Sequence, residues 1–288
     1  MNAMHTRRDL IVAAVANLCL ASGARAAPPT MTTPDGYTPP SGSRGLLAKV
    51  RFDKAVRAGK KYSDRFDRWD GSPKGKKDPS VCRGMYEIPD GQGKSVLFWE
   101  SKMGIDTDGA SKAVREQDGS SDPKTSYHFK DGVGVNSEIV PYFVLPTVDD
   151  INVDPARKKF PNGPWEDSKD NFIEDFRVER GNLGVVILAG KMTGAIFVDE
   201  GPAMKIGEAS LRTHELVRSP PHPWISDPAD KKLNPNDGVD GGVLYVVFPG
   251  TKFDINRFGS SPSEQLAMTE EIRKEAQAAF DAFIKAQS

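Results

Sequence analysis

Short apolar runs separated by turn-forming residues occupy positions 91 to 260, and they constrain the fold more than any other feature of this chain. Five of these runs are rich in β-branched and aromatic residues, which is typical of strands. They lie at 95–99, 139–145, 184–188, 194–198 and 242–248. Because the runs are continuously apolar and do not alternate with polar residues, both faces of the strands should be covered, as in a barrel or a sandwich. The pattern predicts a mainly β fold.

The C-terminal segment has a different, helical pattern. Ser261, Pro262 and Glu264 are typical of a capped helix start. Apolar residues then recur at helical spacing, which predicts an amphipathic helix that packs on the body and ends near Lys285. No internal repeat or second domain is visible. We therefore predict that residues 46–288 form a single barrel-like β domain with peripheral helices and a packed C-terminal helix.

The N-terminal segment is typical of a cleavable export signal. Arg7 and Arg8 precede an apolar run over residues 10–20, and an Ala-Arg-Ala motif, which is typical of a signal-peptide cleavage site, ends at Ala26. We predict a signal peptide over residues 1–26, a flexible leader over 27–45, and a secreted or periplasmic protein that does not associate with the membrane after cleavage. The paired arginines leave two routes open, the twin-arginine route and ordinary export.

Composition excludes several classes of function. The chain has 39 basic and 40 acidic residues, whereas a nucleic-acid-binding protein needs a strongly basic face. Beyond the signal only Cys82 remains, so no internal disulfide can form and stability must come from the core. Zinc, nucleotide-binding and serine-hydrolase motifs are absent from the sequence. We predict no cofactor, no metal, no nucleic-acid partner and a monomer.

The densest candidate for chemistry is the stretch 194–210. An apolar strand ends at Asp199, a Gly-Pro turn follows at 201–202, and a second short run ends at Glu208. The turn lets the chain double back, so both carboxylates could face one groove. Inverting glycosidases use two carboxyl groups about 6.5–9.5 Å apart. On residue type alone, a turn-capping Asp199 and a surface Glu208 remain the competing interpretation.

This stretch resembles the glycoside hydrolases of family 75, the chitosanases best known from fungi. The family has an Asp before Gly-Pro and a Gly-Glu-(Ala/Gly)-Ser element nine positions after the Asp, matched here by Asp199, by 201–202 and by 207–210. Four further segments are similar in the same order, so that the resemblance covers about residues 95 to 255. They are the Asp-rich element 105–110, residues 122–126, the strand 140–146 and the strand 245–250.

The resemblance implies an endo-acting, inverting hydrolase of β-1,4 glucosamine linkages in chitosan, with Asp199 and Glu208 as the catalytic pair. Which carboxylate is the acid stays open, although the small neighbours of Glu208 favour it as the acid and Asp199 as the base. Because chitosan is a polycation, further carboxylates should bind it. The candidate substrate-binding residues are Asp106, Asp108, Asp122 and Tyr142, and Trp99 and Trp224 are further candidates for stacking on sugar rings.

The chain also departs from the family pattern. Thr107 stands where fungal members tend to have a cysteine, and residues 219–240 have no counterpart. A D-x-D-G element is also typical of turns and calcium loops, although this one is too short for an EF-hand. Two other functions stay open: an exported carbohydrate-binding or cell-envelope protein without activity, and a hydrolase of another polysaccharide such as peptidoglycan.

Overall fold

The structure is a computed structural model that describes residues 30–58, 82–119, 121–146, 172–201, 206–219 and 237–287. The chain is mainly β, with a closed six-stranded barrel, a few helices and a C-terminal helix, which confirms the predicted fold class. The predicted signal peptide (1–26), the start of the leader (27–29), Trp224 and most of the unmatched insertion (219–240) lie outside the described residues.

Eight strands and four helices make up the described part. The strands are β1 (Val56–Arg57), β2 (Cys82–Pro89), β3 (Ser95–Asp106), β4 (Tyr142–Pro146), β5 (Leu183–Leu188), β6 (Lys191–Gly201), β7 (Glu208–Ser210) and β8 (Val239–Phe248). The helices are α1 (Lys112–Asp118), α2 (Phe172–Phe176), α3 (Leu211–Val217) and α4 (Pro262–Ala286). Short 3-10 turns lie at Ser41–Ser43, Phe52–Lys54 and Ile255–Arg257.

The barrel closes because the long strand β3 pairs on both of its edges. The sheet order is β1-β2-β3-β7-β4-β6-β5-β8, and β8 pairs back to β3. β3 uses one edge for β2 and then β7, and the other edge for β8. Six strands therefore form the closed barrel, while β1 and β2 extend the sheet from it. Closure removes the free strand edges within the barrel.

Large apolar side chains fill the barrel interior. The rings of Trp99 and Tyr245 stack at a centroid distance of 4.8 Å with an interplanar angle of 3°. Gly184 of β5 is needed opposite Phe143, because a Cβ at Gly184 would lie 3.0 Å from the Phe143 ring and 2.8 Å from the Val246 carbonyl oxygen. The continuously apolar runs of the sequence are thus explained by strands that are covered on both faces.

The helix α4 covers the outer face of β5 and β6. Its N-cap Ser261 accepts a hydrogen bond from the Glu264 N–H, as the capping pattern predicted. Gly194 of β6 allows close packing, because a Cβ there would lie only 2.8 Å from Ala276 Cβ and 2.8 Å from Arg273 Cα. Within the described residues, no helix is both long and apolar enough to cross a membrane.

Candidate active site

Asp199 and Glu208 lie on either side of the same residue, Val144. Asp199 of β6 and Glu208 of β7 are both register partners of Val144 in β4, one on each edge of that strand. Register partners point to the same face of a sheet, and adjacent strands are about 4.8 Å apart, so the two Cα atoms are separated by roughly 10 Å. The barrel therefore brings the two predicted carboxylates together on one face.

An irregularity in β6 turns Asp199 to this face. Phe143 pairs with Phe197, but Val144 pairs with Asp199, so Val198 is an extra residue in β6. Without this bulge Val144 would pair with Val198, and Asp199 would point to the interior side where Phe143 and Phe197 lie. Bulges of this kind commonly re-aim a side chain beside a functional site.

Asp199 is held by hydrogen bonds from one residue of the loop between α1 and β4. Its side chain is buried, with a relative exposure of 4%. The Ser126 N–H donates to Asp199 Oδ1 at 2.8 Å, and the Ser126 hydroxyl donates to the same oxygen at 2.7 Å. The Glu200 N–H in turn donates to Ser126 Oγ at 3.2 Å. Two donors of Ser126 therefore hold one oxygen of the Asp199 carboxylate.

Glu208 occupies a space that two glycines leave open. A Cβ at Gly104 of β3 would lie 3.1 Å from Glu208 Cγ and 3.7 Å from Oε1. A Cβ at Gly201 of β6 would lie 3.6 Å from Glu208 Oε2. The Glu208 carboxyl group therefore lies over the sheet between β3 and β6, where larger side chains at either glycine would crowd it.

Asp106 and Asp108 lie beside Asp199. One carboxylate oxygen from each of the three residues lies within 4.8 Å of the other two. Asp106 is the last residue of β3, and its Oδ1 accepts the Asp108 N–H at 2.8 Å. The predicted Asp-rich element thus forms a turn that directs both of its carboxylates into the site.

The substrate-binding role predicted for Tyr142 needs correction. Its ring is fully buried, so it is not available to stack on a sugar. Its hydroxyl lies 3.2 Å from Asp106 Oδ1 and 3.0 Å from the Asp108 carbonyl oxygen, so that it supports the carboxylates from beneath. Trp99 is likewise buried inside the barrel.

Asp122 contacts the site through its backbone. Its N–H donates to Asp108 Oδ1 at 2.7 Å, and its carbonyl oxygen accepts the Gly109 N–H at 3.0 Å. The side chain is exposed and does not line the pocket described below. A direct contact between the Asp122 carboxylate and substrate stays a prediction.

Burial and mutual repulsion raise the pKa of three of these carboxyl groups. Desolvation by burial is the main reason that the pKa of Asp106 lies well above its usual value, and the charges of Asp199 and Asp108 add to it. The pKa of Asp108 is raised to about 7, again chiefly by burial. Burial also raises the pKa of Asp199, but the hydrogen bonds from Ser126 act in the opposite direction.

The carboxylates line an acidic pocket with a volume of about 250 Å³. Its described lining contains no lysine or arginine side chain. Glu200 at the rim forms an ion pair with Arg180 at 2.5 Å. The acidic residues of the lining are Asp106, Asp108, Asp118, Asp199, Glu200 and Glu208. Such a pocket favours a cationic ligand.

The same cluster has the spacing of a possible cation site. Asp106, Asp108 and Asp199 offer three carboxylate oxygens within 4.8 Å of one another, and hard cations prefer such ligands. All three groups also receive hydrogen bonds from protein donors. The sequence predicted no metal, and the effect of a chelator on activity would test that expectation.

Sequence reasoning did not single out Ser126 as a residue of the site. It lies in the matched segment 122–126, but a serine there carries no recognisable chemical pattern. The Tyr127 N–H donates to the Val198 carbonyl oxygen at 2.8 Å, which places this loop alongside β6. That pairing brings Ser126 to Asp199.

Comparison of the chain with protein-family models gives no match, and comparison with curated proteins gives none either. The resemblance to family 75 glycoside hydrolases therefore stays a prediction, and the functional case depends on the residues of the site.

Proposed function

We propose that this chain is a secreted, endo-acting glycoside hydrolase that cleaves β-1,4 glucosamine linkages in chitosan with inversion. The observation that carries the proposal is the placement of Asp199 and Glu208 on opposite edges of Val144, facing one acidic pocket. Their Cα separation of roughly 10 Å is compatible with carboxyl groups 6.5–9.5 Å apart, which leaves room for a water molecule beside the sugar.

The surroundings of the two residues favour different roles. Asp199 accepts two hydrogen bonds from Ser126, which stabilise its ionised form and suit a general base. Glu208 lies between Gly104 and Gly201 and lines the same pocket as Asp199. In this assignment Glu208 protonates the leaving oxygen, while Asp199 takes a proton from the water that attacks the anomeric carbon.

The charge of the pocket favours an amino sugar over a neutral one. Its described lining carries six acidic residues and no basic side chain. Glucosamine units are cationic at mildly acidic pH. Because the pKa values of Asp106 and Asp108 are raised and Glu200 is paired with Arg180, the ammonium groups of the sugars would be attracted to those acidic groups of the lining that are ionised at that pH. A neutral glucan would gain nothing from this charge.

The first experiment compares reducing-end release from soluble, highly deacetylated chitosan by the wild type, Asp199→Asn and Glu208→Gln. We expect activity in the wild type and a decrease by a factor of at least about 10²–10⁴ in each variant, which is the usual contribution of a general acid or base. The exposed Glu116→Gln on α1 is a matched control that should retain full activity. NMR detection of the α-anomer as the first product would identify inversion.

Several outcomes would contradict the proposal. A folded wild type that binds chitosan without cleaving it would favour a carbohydrate-binding protein, and cleavage of another polysaccharide alone would shift the substrate class. Full activity in either variant would remove that carboxylate from the reaction. Because the mechanism uses only carboxyl groups and water, treatment with EDTA should leave activity unchanged, and a loss that calcium restores would favour a cation on the three aspartates.

A further inference from the structure

Glu208 lies on a very short strand. The strand β7 has three residues, Glu208–Ser210, and continues directly into α3. It pairs with β3 on one edge, where Gly104 is the register partner of Glu208, and with β4 on the other edge. A strand of this length makes few ladder bonds, so contacts from outside the ladder contribute to the placement of the Glu208 carboxyl group in the pocket.

Gly104 of β3 lies against both the backbone and the side chain around Glu208. The Gly104 N–H donates to the Gly207 carbonyl oxygen at 2.7 Å. A Cβ at Gly104 would lie 3.1 Å from Glu208 Cγ, so the glutamate side chain packs closely over this residue. A change in the distance between Gly104 and β7 would therefore change the space that Glu208 occupies.

His214 binds the carbonyl group of the same glycine. It lies on α3 and is fully buried. Its Nε2 lies 3.0 Å from the Gly104 carbonyl oxygen. Because a carbonyl oxygen can only accept, Nε2 carries the hydrogen of this bond. The bond joins α3 back to β3, so that it closes a ring of contacts that contains β7 and Glu208.

Ser210 anchors the same segment to the strand on the opposite side. Its hydroxyl oxygen accepts the Tyr142 N–H of β4 at 3.0 Å and the Thr213 N–H of α3 at 3.2 Å. It is also the N-cap of α3. Ser210 therefore ties the junction between β7 and α3 to β4, while His214 ties it to β3.

We propose that His214 is a positioning residue of the active site, whose Nε2–H bond to the Gly104 carbonyl oxygen sets the separation of β3 from β7 and thereby the place of the Glu208 carboxyl group. This inference rests on the proposed hydrolysis for its catalytic meaning. His214 does not belong to the described lining of the pocket, so it acts through Gly104 and not by contact with the substrate.

The test of this role compares His214→Gln with His214→Leu. The amide nitrogen of glutamine can take the place of Nε2 and donate to the Gly104 carbonyl oxygen, whereas leucine fills a similar volume without a donor. We expect His214→Gln to keep kcat on a soluble glucosamine oligomer close to the wild-type value. His214→Leu should lose about tenfold in kcat with little change in KM, because a displaced acid affects the reaction more than it affects binding.

A residue that only fills the core would give a different result. If packing were the whole role of His214, the two variants would be impaired to the same extent, or KM would rise while kcat stayed unchanged. Either result, in folded variants of an active protein, overturns the positioning role. A wild type that releases no reducing ends would instead refute the proposed hydrolysis.

A second test does not depend on activity. Gly104→Ala adds a Cβ that crowds Glu208 Cγ, and the crowding is relieved when loss of the His214 bond lets β3 and β7 separate. Urea unfolding of Gly104→Ala, His214→Leu and the double variant measures this coupling. We expect the double variant to lose less free energy of unfolding than the sum of the two single losses, and additive losses would overturn the proposal. Gly45→Ala, with no atom within 4 Å of the added Cβ, should be additive with His214→Leu.

The bond itself can be observed by ¹⁵N NMR of the histidine rings. The chain has four histidines, and the signal that is lost in His214→Gln identifies His214. We expect Nε2 to carry a hydrogen that exchanges slowly with water, because the ring is buried and hydrogen-bonded. A ring without a hydrogen on Nε2 overturns the proposal, even if His214→Leu does not fold.

Discussion

Ser126 donates both its backbone N–H and its hydroxyl to one oxygen of Asp199, at 2.8 and 2.7 Å. The two residues are 73 positions apart in the chain. Both bonds reach the carboxylate that we propose as the base, so the loop between α1 and β4 controls its charge as well as its orientation.

Replacing Ser126 by alanine removes the hydroxyl and leaves the backbone donor. Because the hydroxyl bond lowers the pKa of Asp199, its loss should raise that pKa, so the acidic limb of the pH–activity profile should move to higher pH. Below the optimum, we expect a decrease in kcat of about tenfold. The measurement is kcat against pH on a glucosamine oligomer. Ser260→Ala, which removes an exposed hydroxyl bond to Asp131, is the matched control, and an unshifted limb would contradict the role of Ser126.

Replacing Gly104 by alanine should displace Glu208 without unfolding the barrel. The new Cβ would lie 3.1 Å from Glu208 Cγ, so this side chain must move by a few tenths of an ångström. Small displacements of a catalytic group can be costly, and we expect kcat to decrease about tenfold with little change in KM. Gly45→Ala, where no atom lies within 4 Å of the added Cβ, provides the comparison. If Gly104→Ala keeps the kcat of the wild type, as Gly45→Ala should, the catalytic role of Glu208 does not depend on the space beside Gly104.

Replacing Asp106 by asparagine should stabilise the protein at high pH. The raised pKa of Asp106 means that ionisation is disfavoured in the fold, so this residue lowers the free energy of unfolding more as pH increases. Asparagine cannot ionise. We expect Asp106→Asn to gain roughly 1 kcal/mol at pH 8 and little at pH 4.

Urea unfolding at these two pH values measures the effect of Asp106→Asn, with the exposed Asp240→Asn as control. A gain that is the same at both pH values would indicate a packing effect instead of relief of a buried charge. Reduced hydrolysis in the stabilised variant would be consistent with a site that keeps acidic groups at the expense of stability.

Much of the architecture could be predicted from local patterns. The runs 184–188 and 242–248 fall within β5 and β8, and α4 begins one residue after the predicted cap Ser261. The strand predicted over 139–145 was partly wrong. The N–H groups of Ile139 and Val140 donate to the Asn136 carbonyl oxygen, so these residues form a turn ahead of β4. The strand β2 was not predicted at all, since its apolar residues are interrupted by charges.

The amino-acid sequence by itself determined the residue types of the site and the periodicity of the strands around it. Asp199 and Glu208 were singled out as candidates by the resemblance of the stretch 194–210 to the family 75 pattern, a signal that extends over only a few residues, while their spacing and turn alone left a turn-capping and a surface role open. Tertiary structure decided that the two flank Val144, because strand pairing between β4, β6 and β7 joins positions far apart in the chain. It also decided, through the extra residue Val198, which face Asp199 takes, since a shift of one residue reverses every side chain in a strand.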